Sequence, residues 1–196
     1  MFKGIMYWIL NCDRARVALL VGTVLWVGLA QAATAADDED VQRLIDTNEC
    51  VGCDLDGADF RRLDLSGADL RGADLESANF FHTLLDGANL EGANLYDTNF
   101  AYSSAREVNF EGADMRYAIM ERANFTNANF TQTDLREAYL DETIFVGALM
   151  QGTNLEATLF RTVYFSDAQL CGAIFWTGLE YRRACLVEVP EAIEEY

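Results

Sequence analysis

The chain is poor in positive charge and in catalytic side chains. Lysine occurs once, at Lys3, and histidine once, at His82. Lys and Arg together number 14 against 32 Asp and Glu, for a formal net charge of −18 over 196 residues. That balance argues against binding nucleic acid through its phosphates. It suits a soluble protein with a basic partner or diffuse cation binding. His82 has no evident nucleophile to serve, so Ser/His/Asp and Cys/His catalysis lack support. No Gly-rich phosphate loop is present. The apolar run Val17–Ala30 has fourteen residues, short of the ~20 that span a bilayer. Together these absences lead us to expect a non-enzyme without a cofactor.

A five-residue beat fills most of the chain instead. From Leu55 to Phe175, every residue numbered by a multiple of five is large and apolar, except Ala105. These centres are eleven Leu, ten Phe and three Met. Two places before each centre sits a small or compact residue, fourteen times Ala and six times Thr; the others are Cys53, Leu63, Ser103, Val108 and Val163. No insertion breaks the frame.

A period of five fits neither a helix nor a flat strand. On an α-helix it would smear the apolar residues around the axis and leave no buried face. A short fixed repeat calls for a solenoid, in which each unit is buried by stacking on its neighbours. The centre and the residue two before it point inward. The other three positions, rich in Asp, Asn, Gly and charge, face water.

This pattern resembles the pentapeptide-repeat family, whose motif is similar to A(D/N)LXX, across Cys53–Trp176. The resemblance implies an all-β solenoid, a right-handed quadrilateral β-helix with four pentapeptides per coil. Residues twenty apart then stack, and the sequence agrees. Phe60, Phe80 and Phe100 are twenty apart, as are Phe125, Phe145 and Phe165, and Phe110 and Phe130. Gly72, Gly92, Gly112, Gly152 and Gly172 share one corner, with Gln132 intervening. About six coils at about 4.8 Å spacing give a rod about 30 Å long.

Taken in order, residues 1–35 read as a cleavable export signal. Lys3, Arg14 and Arg16 give a positive start, and Ala-Gln-Ala at 30–32 or Ala-Thr-Ala at 33–35 offers a cleavage site. A retained membrane anchor is the other reading of this segment, and it is the only membrane contact expected. Removing it takes the net charge from −18 to −20. Residues 36–49 carry a short helix over Asp37–Asn48, with acidic residues at its start and Val41, Leu44 and Ile45 as one apolar stripe. Capping the open end of the coil is its expected role, since an uncapped coil exposes core and strand edge. Residues 50–177 form the repeat domain, and 178–196, ending in VPEAIEEY, cover the other opening.

Cys50 and Cys53 form a C-x-x-C motif, for which redox, zinc, haem and structural roles are open. Asp54 stands where haem attachment needs His. Zinc lacks two further ligands, and a thioredoxin-like role lacks its βαβ setting. An exported compartment permits disulfides, so the expectation is a Cys50–Cys53 staple with Cys171 and Cys185 as the second pair.

Asp54, Asp59, Asp64, Asp69, Asp74, Asn79, Asn89 and Asn94 precede their centres and recur with the repeat. Short polar side chains there bond nearby backbone; calcium binding is the weaker reading. The same position turns apolar or aromatic at Leu84, Ile119, Tyr139, Ile144, Leu149, Leu159, Tyr164 and Ile174. Ile119, Tyr139 and Leu159 should form one column, and Ile144 and Tyr164 another on the adjacent face, an outward apolar grouping that suggests an interaction surface. The expected function is an exported, acidic, rigid rod that binds an unidentified protein partner, or itself, through a flat face. The resemblance is to short exported members of the family, in the bacterial periplasm or the thylakoid lumen of a cyanobacterium. The rival reading is a DNA-mimicking inhibitor of gyrase, supported by the charge and opposed by the leader.

Overall fold

A computed structural model describes residues 36–175. The described residues belong to one compact unit. The expectations for the leader at 1–35 and the tail at 178–196 therefore lie outside the described residues.

Helix α1 (Asp38–Thr47) begins where its sequence provides for its free amides. The Asp37 side chain accepts a hydrogen bond from the Glu39 N–H at 2.9 Å. Asp38, Glu39 and Asp40 fill the first turn, at the positive end of the dipole. Asn48 ends the helix in the left-handed region and donates its N–H to the Leu44 carbonyl. The apolar stripe is narrower than expected. Leu44 is buried and Val41 half-buried, but Ile45 is 52% exposed. One residue turns a helix by about 100°, which carries Ile45 past the seat Leu44 fills.

Beyond α1 the backbone climbs in parallel steps of twenty residues. Glu49 bridges Asp69, Asp69 bridges Asn89, and the series continues through Asn109, Asn129, Leu149 and Gln169. Sides are so short that most pairings are single bridges. Among the described residues, four two-residue strands form: β1 (Tyr139–Leu140), β2 (Thr143–Ile144), β3 (Leu159–Phe160) and β4 (Val163–Tyr164). β1 pairs with β3 and β2 with β4, both parallel.

The repeat is explained by where each amide goes. A centre donates to a carbonyl nineteen residues on, as Leu55 does to Asp74 at 2.7 Å. The residue before a centre donates to one twenty-one back, as Asp74 does to Cys53 at 2.8 Å. The left-handed corner residue also donates nineteen on, Gly57 to Glu76 at 2.7 Å, and the next residue closes the turn, Ala58 to Leu55 at 3.1 Å. One amide per unit, just after the centre, is left. The Asp or Asn before the centre takes it, as when the Thr126 N–H donates to Asn124 Oδ1 at 3.0 Å. The recurring Asp/Asn is thus a backbone acceptor, as expected.

The inward positions form one continuous core. Phe60 stacks on Phe80 at 5.3 Å and Phe80 on Phe100 at 5.0 Å. Phe125, Phe145 and Phe165 stack at 5.5 and 5.4 Å, and Phe110 on Phe130 at 5.0 Å. Thr in the small position satisfies its hydroxyl by donating to a centre's carbonyl, as Thr83 does to Phe60 and Thr133 to Phe110, each at 2.7 Å.

Candidate functional site: an apolar surface astride one edge

The two apolar columns exist as predicted in register. Ile119 bridges Tyr139, and Tyr139 pairs with Leu159. Ile144 pairs with Tyr164. Exposure is uneven. Leu159 is 59% exposed and Ile119 and Tyr164 39% each, whereas Tyr139 and Ile144 are half-buried. Leu149 and Ile174 are half-buried on other faces. Leu84 is exposed in the Ile144 column, but Ser104 and Asn124 separate it from the group.

The surface is not flat. Two residues, Asp141 and Glu142, separate β1 from β2, and Arg161 and Thr162 separate β3 from β4. The columns therefore belong to adjacent faces that meet at one edge, and the apolar surface wraps that edge. Its crest is charged. The Tyr139 hydroxyl donates to Asp141 Oδ2 at 3.3 Å, and Arg161 Nη1 reaches the same oxygen at 3.4 Å. The regular corner also relaxes here: Glu142 is left-handed (φ 51°) but Thr162 is not among the positive-φ residues. A β-branched residue resists that conformation.

This edge continues as a file of side chains that periodicity alone did not reveal. Its corner positions are Arg62, His82, Tyr102, Arg122 and Glu142, all left-handed and none glycine. The His82 ring lies 4.4 Å from Phe81 and 5.1 Å from Tyr102. Arg122 sits over the Tyr102 ring at 5.5 Å and donates to its hydroxyl at 2.7 Å. Arg122 also grips Glu142 through two bonds of 2.7 and 2.9 Å. Those bonds raise the Arg122 guanidinium above its ordinary range and hold the Glu142 carboxyl below its own. His82 is thus part of a surface file, where sequence reading left it isolated. Stepping by twenty from the corner position would have found it.

At the α1 end, Cys50 and Cys53 are joined as a disulfide, both nearly fully buried. Arg43 Nη2 lies 3.5 Å from Cys50 Sγ and also contacts Cys53 Sγ. Asp40 completes the group of possible ligand atoms within 4.8 Å. Cys171 is disulfide-bonded as well, but the proposed partner Cys185 lies outside the described residues.

Comparison with known sequences bears out the resemblance. "Pentapeptide repeats", in eight copies, match residues 49–76, 73–112 and 93–132. "Pentapeptide repeat region" matches 118–188. The chain belongs to the pentapeptide-repeat family. Curated proteins provide no match. Among solved structures, a trypsin-treated form of QnrB1, a plasmid-mediated fluoroquinolone resistance protein, is 22% identical with a TM-score of 0.48. The match covers 61% of this chain and 63% of QnrB1, so this chain spans less than two thirds of that protein. Rfr23 of the cyanobacterium Cyanothece 51142 is 26% identical over 66% of this chain and 96% of its own, with a TM-score of 0.35. A pentapeptide-repeat protein of the Arabidopsis thaliana thylakoid lumen is 25% identical over 60% and 65%, with a TM-score of 0.21.

Proposed function

We propose that this chain is a non-enzymatic, exported interaction module: an acidic rod of about six coils whose two apolar columns dock a protein partner. The observation that carries this reading is the pairing of Tyr139 with Leu159, and of Ile144 with Tyr164, on either side of one edge. Elsewhere the position is held largely by Asp and Asn that serve the backbone, so apolar residues there give up an acceptor. Side chains that sacrifice a backbone bond and expose apolar surface fit a contact made by another molecule. The exported setting rests on the leader sequence, and α1 is read as the cap of the first coil, stapled by Cys50–Cys53.

A pull-down from the exported fraction, with the Tyr139→Asp/Leu159→Asp double variant as control, tests this. Capture of a partner by the wild type and its loss in the variant supports the reading. Equal capture by both contradicts it. A processed protein outside the cytoplasm rules out gyrase; an unprocessed protein in the cytoplasm that inhibits gyrase supercoiling puts the DNA-mimic reading in its place.

A further inference from the structure

We propose that Cys50–Cys53 is a thiol–disulfide exchange site, and that its reduction by a dithiol releases α1 from the first coil. The inference rests on the reading of α1 as a cap. Cys50 and Cys53 are 1% and 2% exposed. One side of the pair is fixed to the next turn: the Cys50 N–H donates to Asp69 O at 2.7 Å, and Cys53 O accepts from the Asp74 N–H at 2.8 Å. The other side is α1. Asp40 O lies 3.3 Å from Cys50 Sγ, and the Arg43 guanidinium touches both sulfurs.

The two sulfurs are not equivalent. Arg43 meets both, more closely at Cys53, and Cys50 alone also faces a carbonyl oxygen. A guanidinium favours a thiolate, and the more stable thiolate is the better leaving group. Both sulfurs are buried, so the reductant's thiolate reaches Cys50 Sγ as the Asp40 end of α1 lifts; the sulfur–sulfur bond breaks, and Cys53 leaves as the thiolate beside Arg43. The reductant's second thiol then attacks the mixed disulfide at the reductant's own sulfur and displaces Cys50, which takes up a proton. The dithiol supplies both electrons and ends as its own disulfide.

Reduction places a new negative charge under the most acidic part of the chain. Asp37 caps α1, and Asp38, Glu39 and Asp40 fill its first turn. Arg43 is already shared with Asp40 at 3.3 Å. A buried, partly compensated thiolate is costly until water reaches it. α1 is held by few contacts: Leu44 is its one buried side chain, Val41 is half-buried against the core, and two bonds reach Asp54, from Asp37 N–H to Asp54 O at 3.1 Å and from Asp54 N–H to Asp40 Oδ2 at 2.9 Å. A helix of ten residues is marginal without its packing. Zinc is a poorer fit, because Arg43 occupies both sulfurs and Asp40 Oδ2 accepts the Asp54 N–H at 2.9 Å.

The test is hydrogen exchange on the full chain, oxidised and after dithiothreitol, with peptide-level alkylation of each cysteine. We expect the Val41 and Asn48 amides to be protected when oxidised and to exchange at least about tenfold faster when reduced, with Phe110 and Phe130 unchanged. Under limiting dithiothreitol Cys53, freed first, should alkylate before Cys50, and Arg43→Gln should slow reduction of the disulfide about tenfold near pH 7. Equal α1 protection in both redox states overturns the release, and an Arg43→Gln reduction rate that matches wild type overturns Cys53 as the leaving group. An α1 unprotected even when oxidised overturns the cap reading itself. Air-purified protein with both thiols free, or zinc chloride that shields both from alkylation, overturns the exchange site.

Discussion

The Phe100 ring meets the Phe125 ring edge-on at 6.1 Å beside Ala105. Ala105 follows Phe100 by one unit along the coil and sits one step of twenty below Phe125, where Ser104 bridges Asn124. Phe110 joins the same cluster, 5.8 Å from each. Three rings thus fill the space that a large centre would need, which accounts for the single break in the apolar series. Ala105→Leu should overpack this site and destabilise the fold by about 1–3 kcal/mol. Urea denaturation measures it; an unchanged or raised midpoint would show a void there instead.

Asn109 makes three side-chain bonds. Its Oδ1 accepts from the Glu111 N–H at 3.2 Å and from Asn129 Nδ2 at 3.0 Å, and its Nδ2 donates to Asn89 Oδ1 at 3.2 Å. Asn109→Ala should cost about 1 kcal/mol and speed exchange of the Glu111 amide. Amide exchange by NMR checks the second effect separately from the first. An unaltered Glu111 rate would mean that the recurring Asp/Asn does not serve the backbone.

The acid limb of stability should depend on the arginine–aspartate pairs. Hydrogen bonds from Arg61, Arg71 and Arg116 hold Asp59, Asp69 and Asp114 below the usual carboxylate range. A folded-state value below the unfolded one gives stability that is complete above about pH 4 and is lost as pH falls through the folded value. Melting temperature should therefore stay level from about pH 7 to about pH 5 and drop below about pH 4. Arg71→Gln should shallow that drop. The pairs are solvent-exposed, so added salt should shrink the difference between variant and wild type. Calorimetry across pH at two salt concentrations checks both.

Tyr139→Asp/Leu159→Asp should leave the coil folded, because both side chains point away from the core and Asp is the ordinary residue at their position. Circular dichroism and a melting temperature within a few degrees of wild type are the expected result. Partner capture or self-association should be lost, as read by sedimentation. A variant that unfolds would place these side chains in the structure rather than on its surface.

Much of this architecture was legible because both its core and its corners repeat. The Phe ladders and the Tyr139–Leu159 register follow from numbering alone. The Asp/Asn position was legible as a backbone partner, but which amide it serves emerges only from the other four bonds of the unit. Ile45 misled because helical spacing cannot say how wide a seat the first coil offers. His82, Tyr102 and Arg122 escaped because corner residues vary in chemistry while sharing a conformation, and variable chemistry hides a column. A partner's identity is carried by shape and charge on the far side of the contact, which no period in this chain encodes.

The most direct measurement is site-specific photo-crosslinking in the exported fraction. A photoreactive residue replaces Leu159 in one variant, and Asn129 or Asn154, on the other two faces, in the controls. The account predicts a discrete crosslinked species from position 159 and none from 129 or 154. Equal crosslinking at all three positions, or crosslinking at 129 or 154 alone, would contradict it.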